Sequence, residues 1–467
     1  MSFSGFFQER AESTTRTCLE NSQNSRANGV SVKMNSSITS RKVISWALYD
    51  WANSAFATTV MAGFFPLFFK KYWNVDVEVT TSTFRLGLAN SIASIIVVAL
   101  APVLGAIGDQ GGARKKFLLF FATMGVIMTG SLFFVAQGAW QIAVLIFVLG
   151  VIGFSGGNIF YDSLLVSVAP PGKEDMVSAF GFALGYLGGG LLFALNVFMT
   201  LKPELFGLSD ASAAVRVSFL SVAAWWALFS LPVAIWVKEP PVKQKKGGWA
   251  MVTGGFQQLK TTFAEIRKLR MVFLFLLAYW LYIDGVDTIV RMAVDYGMSL
   301  GFAENSLIVA LLIVQFVGFP AAILYGKLGE KFGTKRSILL GIAVYIGATV
   351  WGRFMDSSGE FYVLAVAIGL VQGGVQALSR AFYSRIIPAN RAAEFFGFYN
   401  MLGKFAAVIG PILMGLVGVI TGNPRHAILS IVVLFLAGAI ILYFVDEKEG
   451  ARIAQELEPE GLKEERP

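Results

Sequence analysis

The sequence predicts an all-α polytopic membrane protein whose twelve transmembrane helices form two pseudo-symmetric six-helix bundles. Three observations carry that prediction. Only 15% of the 467 residues are charged and 55% are apolar, whereas soluble domains carry roughly 25% charged residues. Apolar runs of about 20 residues or more recur along the chain, and at about 1.5 Å of rise per residue each can cross a hydrocarbon core about 30 Å thick. Finally, the polar residues that punctuate the first half of the chain return, in order, in the second.

In chain order, the runs lie at 46–69, 87–107, 117–137, 140–168, 178–200 and 213–237, then at 271–296, 303–325, 337–355, 361–386, 394–421 and 426–445. Residues 1–40 are rich in Ser, Thr and Asn and lack an apolar core of signal-peptide length, so they read as a disordered cytoplasmic tail in which Met34 rivals Met1 as the start. The first bundle is expected over 41–237 and the second over 271–445. Between them, 238–270 opens with KEPPVKQKKGG and turns amphipathic, a cytoplasmic linker carrying a surface helix. Residues 446–467 form a charged cytoplasmic tail.

Lys and Arg cluster in alternate loops: ARKK at 113–116, KQKK at 243–246, RKLR at 267–270, GTKR at 333–336, and Arg385 with Arg391. The intervening loops AQGAWQ, DYGMSLGFAEN and DSSGE contain neither. The positive-inside rule then places both termini in the cytoplasm, as an even number of spans requires. The loop after the first span departs from the pattern, with Lys70, Lys71 and Arg85 offset in part by Asp76 and Glu78. The same rule accounts for the net charge of +8 without nucleic acid.

A single cysteine, Cys18, rules out an intrachain disulfide framework, and a single histidine, His426, leaves no His/Cys metal set. Neither a metal nor another cofactor is expected. A polytopic membrane enzyme would need a nucleophile with its base, and no Ser-His or His-x-x-His pair can be assembled. The expected class is therefore not an enzyme.

The internal repeat is the most specific signal. Trp46, Asp50 and Asn53 map onto Trp280, Asp284 and Asp287 at one offset, 234 residues (280 − 46). In the loop after the second span, GAIGDQGGARK maps onto GKLGEKFGTKR, pairing Gly105, Asp109, Gly112 and Lys115 with Gly326, Glu330, Gly333 and Arg336 at an offset of 221 (326 − 105). Gly156, Asn158, Asp162 and Pro170 map onto Gly374, Gln376, Arg380 and Pro388 at 218 (374 − 156). Falling offsets are what diverged loops in a duplicated bundle produce.

These motifs resemble the major facilitator superfamily, whose mark is a Gly-x-x-Gly-Asp/Glu-x-x-Gly-x-Lys/Arg-Lys/Arg loop in each of two six-helix halves; the resemblance covers about residues 41–445. More narrowly, WALYDWANSAFATTV in the first span and IIPANRAAEFFGFYNMLGKFAAVIGP leading into the eleventh resemble the branch of vacuolar amino-acid effluxers and their bacterial relatives of unknown substrate. The resemblance implies that the first, fourth, seventh and tenth spans line a central cavity. It also implies that Asp109 and Glu330 each cap a helix of the opposite half, latching the outward-facing state, within loops that include Arg114, Lys115, Lys335 and Arg336. An anion at a helix N-terminus contributes about 0.3 to 1 kcal/mol, enough to bias two nearly balanced states.

A charge at mid-membrane costs about 2.5 to 3.5 kcal/mol on the insertion scale, so each must pair, face water or serve a function. Asp50 lies on span one, Asp162 on span four, Asp284, Asp287 and Arg291 on span seven, Arg380 on span ten and Lys404 on span eleven. Asp284, Asp287, Arg291 and Asp295 share one helical stripe by spacing. Asp50, Asp162 and Arg380 stand roughly 6 to 12 Å from the cytoplasmic ends of their spans, the depth of an Asp/Arg gate. Asp284 and Asp287 fall near the midplane, where a carboxylate between apolar walls can load and release a proton near neutral pH.

The function expected is a secondary active transporter that moves a small polar solute, such as an amino acid or similar metabolite, by alternating access. Its drive is a proton, with sodium as the other candidate. Asp284 is the first choice of carrier, followed by Asp287 and Asp50, the last with Asn53 beside it. Arg291, Arg380 or Lys404 would hold a substrate carboxylate and Asp50 or Asp284 its amine. Trp46, Tyr49, Trp51, Trp280 and Tyr282, near the acids, could stack on a substrate or simply pack. The glycine-rich stretches GFALGYLGGG and GPILMGLVG sit inside apolar spans and read as close helix crossings. The alternatives are a non-transporting sensor or assembly protein and a membrane enzyme. Membrane lipids are the expected surroundings, in a bacterial inner membrane or a vacuole, and the chain is expected to act as a monomer.

Overall fold

The computed structural model describes residues 38–75, 77, 79–239, 249–265, 269–302 and 304–458. Most of the expected N-terminal tail, the alternative start at Met34, Asp76, Glu78 and the KQKK cluster lie outside the described residues. The first bundle holds α1 (Arg41–Trp73), α2 (Val79–Gly111), α3 (Arg114–Ser131), α4 (Trp140–Val168), α5 (Glu174–Leu201) and α6 (Ala211–Trp236). The linker helix α7 (Trp249–Glu265) follows. The second bundle holds α8 (Arg270–Ser299), α9 (Glu304–Phe332), α10 (Thr334–Gly352), α11 (Ser358–Ile386), α12 (Ala392–Thr421) and α13 (Arg425–Tyr443). A last helix, α14 (Glu447–Glu456), closes the described chain.

Eleven of these helices are long and apolar enough to cross a membrane, and α10, with 19 residues, completes the twelve expected spans. Their ends follow local chemistry. Ser40 accepts a hydrogen bond from the Val43 N–H at the start of α1, Asp210 does the same for Ala213 in α6, and Ser357 with Glu360 forms a reciprocal capping box on α11. Gly112 and Gly333, at φ +54° and +91°, make the turns before α3 and α10 that a β-carbon would strain. Two π-helical stretches, Phe56–Phe64 and Phe69–Trp73, interrupt α1, a departure that often marks functional segments.

Each bundle keeps its own apolar core. One in the second bundle runs from Leu269 to Val445, and two in the first gather around Phe65, Phe147 and Trp226 and around Trp46, Phe160 and Leu164. The bundles meet along two pseudo-symmetric seams, α2 against α12 and α9 against α5. Small residues permit both. A β-carbon on Gly105 would stand 2.1 Å from the Ala393 carbonyl oxygen, and one on Gly326 2.8 Å from Ala179. The glycine stretch of α5 likewise serves packing, since Gly185 and Gly188 leave room for Ser54 and Trp51 of α1.

Both described chain ends lie on one face, called here the terminal face. The C-terminal tail differs from its expectation as a merely charged extension. Asp446 caps α14, Gly450 packs on Ile386 and Met271, and Glu447 pairs with Arg385 at 2.7 Å, so the tail is docked beneath α11. The linker helix is docked too, along α2.

Candidate functional site

A cavity of about 610 Å³ lies between the bundles and draws its walls from both. From the first bundle come Asp50, Asn53, Asn158, Tyr161, Asp162 and Tyr186; from the second come Asp287, Gln315, Gln376, Arg380, Asn400 and Lys404. Its floor, on the terminal-face side, is one guanidinium held between two carboxylates of the opposite bundle. Arg380 Nη1 lies 3.1 Å from Asp162 Oδ1 and Arg380 Nη2 lies 3.4 Å from Asp50 Oδ2. Its Nε donates to Ser178 Oγ at 2.9 Å and its Nη2 to the Ser178 carbonyl at 3.0 Å. Tyr161 donates to Asp50 at 2.8 Å and Asn400 to Asp162 at 3.0 Å.

Aromatic faces complete the enclosure: the Arg380 guanidinium carbon lies 4.3 Å from the Phe182 ring centre, 4.9 Å from Trp46 and 5.3 Å from Tyr161. Trp46 itself is stacked on Tyr161 at 4.4 Å and fully buried. Such a hydrogen-bonded ion triad joins the bundles, and removing its arginine would leave two largely buried carboxylates without a counter-charge. Above it the walls are amide-rich and aromatic. Asn53 donates to Asn158 at 2.6 Å within the first bundle, and Gln315 of α9 donates to Thr58 of α1 at 2.7 Å across the gap. Lys404 extends from α12 to within 5.9 Å of the Phe154 ring on α4.

Below the floor, the two repeat loops behave differently. The Asp109 carboxylate accepts the backbone N–H of Glu394 at 2.8 Å and of Ala393 at 3.2 Å, the first turn of α12 in the opposite bundle. Arg114 fixes it at 2.7 Å and reaches on to the Ala389 carbonyl at 2.9 Å. The expected counterpart does not form. Glu330 pairs with Lys173 at 2.9 Å and leaves the start of α5 uncapped, because that seam is held by Asp175, which accepts from Thr334 at 2.6 Å and Arg385 at 2.9 Å. Lys115 and Lys335 hold their own bundles, donating to the final carbonyls of α6 (Ala234, Val237) and of the α13 end (Tyr443, Val445). Arg336 is exposed.

The comparisons with known proteins bear on this architecture. The model of the Atg22-like vacuole effluxers matches residues 72–174 and 169–455. The chain belongs to the Atg22-like vacuole effluxer family. An uncharacterized MFS-type transporter of Bacillus subtilis, YxiO, is 40% identical over 88% of this chain and 96% of its own. Autophagy-related protein 22 of Yarrowia lipolytica is 25% identical over 83% of this chain and 79% of its own. Among solved structures, the proton:xylose symporter XylE aligns with a TM-score of 0.65 at 16% identity, covering 88% of this chain and 95% of its own. FucP in its outward conformation aligns with 0.66 at 12%, covering 87% and 98%. The fold is that of the major facilitator superfamily, and the relatives and neighbours are transporters.

Within this Atg22-like chain, several sequence candidates converge on the cavity and others do not. Asp50, Asn53, Asp162, Asp287, Arg380 and Lys404 line it. Asp284 lies apart, fully buried, accepting the backbone N–H of Gly410 at 2.9 Å and of Ile409 at 3.2 Å and the Thr288 hydroxyl at 3.2 Å. The expected first carrier is thus not among the described residues that line the cavity in this conformation. Trp280 packs on the second core and Tyr282 hydrogen-bonds Ser379 at 2.6 Å. Neither they nor Tyr49, Trp46 or Trp51 are among the described lining residues; Tyr161, Tyr186, Tyr279 and Tyr399 supply the aromatic walls instead. The side chains of Arg291 and Asp295 lie outside the described residues.

Residues missed by sequence reasoning include Ser178, Asn400 and Glu394. The Phe-Gly-Phe triplets at 180–182 and 396–398 are a second repeat signal that sets Ser178 opposite Glu394.

Proposed function

We propose that the chain is a secondary active transporter that exposes its central cavity alternately to the two faces and moves a small zwitterionic, amino-acid-like solute coupled to a proton. The observation that carries this reading is the floor: one arginine of the second bundle closed on two aspartates of the first, beneath a cavity drawn from both in which acids, amides and Lys404 stand among apolar and aromatic side chains. Parting the bundles on the terminal face would break that triad and the Asp109 cap together, so the two act as one gate. By the positive-inside rule the terminal face is cytoplasmic.

Asp50 and Asp287 are the carriers in this reading, because both line the cavity. Asp50 also sits in the gate, where neutralising it would weaken its hold on Arg380 and couple proton loading to opening. Lys404 suits a substrate carboxylate, Asp287 an amine, and the amides Asn53, Gln315 and Gln376 the remaining polar edges. The name of the family points to efflux from a vacuole-like compartment, and the amino-acid-like solute rests on the opposite charges of Asp287 and Lys404 in the cavity wall.

Purified protein in liposomes tests this. A panel of amino acids is screened for ligand-induced thermal shift, then for accumulation under an imposed pH gradient. The expected result is accumulation of at least one shifting ligand only with the gradient present; uptake indifferent to both pH and sodium gradients would refute the coupled mechanism.

A further inference from the structure

The linker helix α7 grips the same turn of α12 that Asp109 caps. Glu394 is fully buried, and its carboxylate accepts hydrogen bonds from Gln258 Nε2 at 2.6 Å and from the Thr262 hydroxyl, both on α7, and from Arg391 Nε at 3.2 Å. Its own backbone N–H is one of the two donated to Asp109. Gln258 also reaches the first bundle, since its Oε1 accepts from Gln110, the residue after Asp109 on α2. Gly255 lets α7 settle there, for an added β-carbon would stand 2.7 Å from Ile107.

One helix therefore bonds to both sides of the α2–α12 seam at the point where the seam is latched. A helix that only tethered the bundles would not need to bury Thr262 completely against a carboxylate. When α2 and α12 part, α7 can follow only one of them, so it must release either Gln110 or Glu394. Releasing Glu394 strips a buried carboxylate of two donors.

We propose that α7 is a third jaw of the terminal-face lock, with Glu394 as its keeper, and that dislodging α7 from Glu394 releases the closed state. Gln258 and Thr262 are positioning residues that act through α12 and touch no substrate. The proposal rests on the alternating-access reading above.

The test is a pulsed-EPR distance measurement in liposomes between labels at Lys116→Cys and Lys331→Cys, exposed sites on opposite bundles at the terminal face, in a Cys18→Ser background. The Thr262→Val, Gln258→Leu double variant should raise the open, longer-distance population relative to the closed by roughly tenfold. Thr262→Ser, which keeps the hydroxyl, should restore the Thr262 contribution, and Thr261→Val on the exposed side of α7 should change nothing. If the double variant fails to fold, Glu394→Gln, which keeps the backbone cap to Asp109, should give a shift in the same direction. Populations unmoved by these variants, while Asp109→Asn does shift them, would overturn the role of α7 alone. A single fixed distance in every variant, Asp109→Asn included, would overturn the alternating-access reading and the α7 proposal with it.

Discussion

Asp50 and Asp284 hold matching positions in the two bundles, yet Asp50 reaches across to Arg380 of the other bundle while Asp284 turns into its own. The difference arises in the helix each one faces. Asp50 lies against α5, where Gly181 and Gly185 leave space beside it, so its carboxylate is free to meet Tyr161 and Arg380. Asp284 lies against α12 just before Pro411. The N–H groups of Ile409 and Gly410 donate to its carboxylate there. A duplicated sequence thus carries one acid to an ion triad between the bundles and its twin to hydrogen bonds within its own bundle, and symmetry of position does not fix the partner.

The largest effect should come from breaking the gate side of this comparison. Arg380→Ala leaves Asp50 and Asp162 buried without their counter-charge, and a broken buried pair costs about 3 to 5 kcal/mol, so the closed-to-open ratio should fall on the order of 100-fold or more. Cysteine accessibility of the cavity from the terminal face measures it, and unchanged labelling would remove Arg380 from the gate. Arg380→Lys should not rescue, since one ammonium cannot span both carboxylates and Ser178 as the planar fork does.

Next, Asp284→Asn and Asp50→Asn should separate cleanly. Asp284→Asn replaces a carboxylate that accepts three hydrogen bonds and should destabilise by about 2 to 3 kcal/mol, read as a lower thermal midpoint, while gradient-driven accumulation persists. Asp50→Asn should keep more of the stability and lose accumulation. If Asp284→Asn abolishes accumulation with its midpoint intact, the structural assignment of Asp284 is wrong.

A smaller effect sharpens the same contrast: Gly410→Ala places a β-carbon 1.9 Å from Thr288 Oγ1, and the forced separation of α8 and α12 should cost about 1 to 3 kcal/mol. The smallest contrast concerns the loops. Asp109→Asn removes the buried charge that accepts two N–H groups of α12 and pairs with Arg114 and should favour the open terminal face severalfold, whereas Glu330→Gln loses only a partly exposed pair with Lys173, worth about 0 to 1 kcal/mol. Equal shifts in both variants would restore the symmetric latch that the motif implied.

Much of this was legible before any coordinates. The twelve apolar runs, the six-and-six division and the repeat offsets follow from hydropathy and spacing, because lipid demands uninterrupted helices of a set length. Asp50, Asp162 and Arg380 were recognisable as a group from their depth alone. Glu394 was not, since an acid in the first turn of a helix reads as an ordinary dipole partner. Only the docking of α7 brings Gln258 and Thr262 onto its carboxylate.

The sequence by itself determined the helices, their order, the repeat and the set of intramembrane charges, since these depend on residues near one another in the chain and on the bilayer as solvent. The tertiary structure alone decided which carboxylates face the cavity, which loop acid caps a helix of the opposite bundle and where the linker helix rests. Those outcomes depend on what a distant helix presents at a given height: a glycine gap beside Asp50, a pair of backbone N–H groups beside Asp284, a guanidinium from the other bundle. Local periodicity carries no record of such partners.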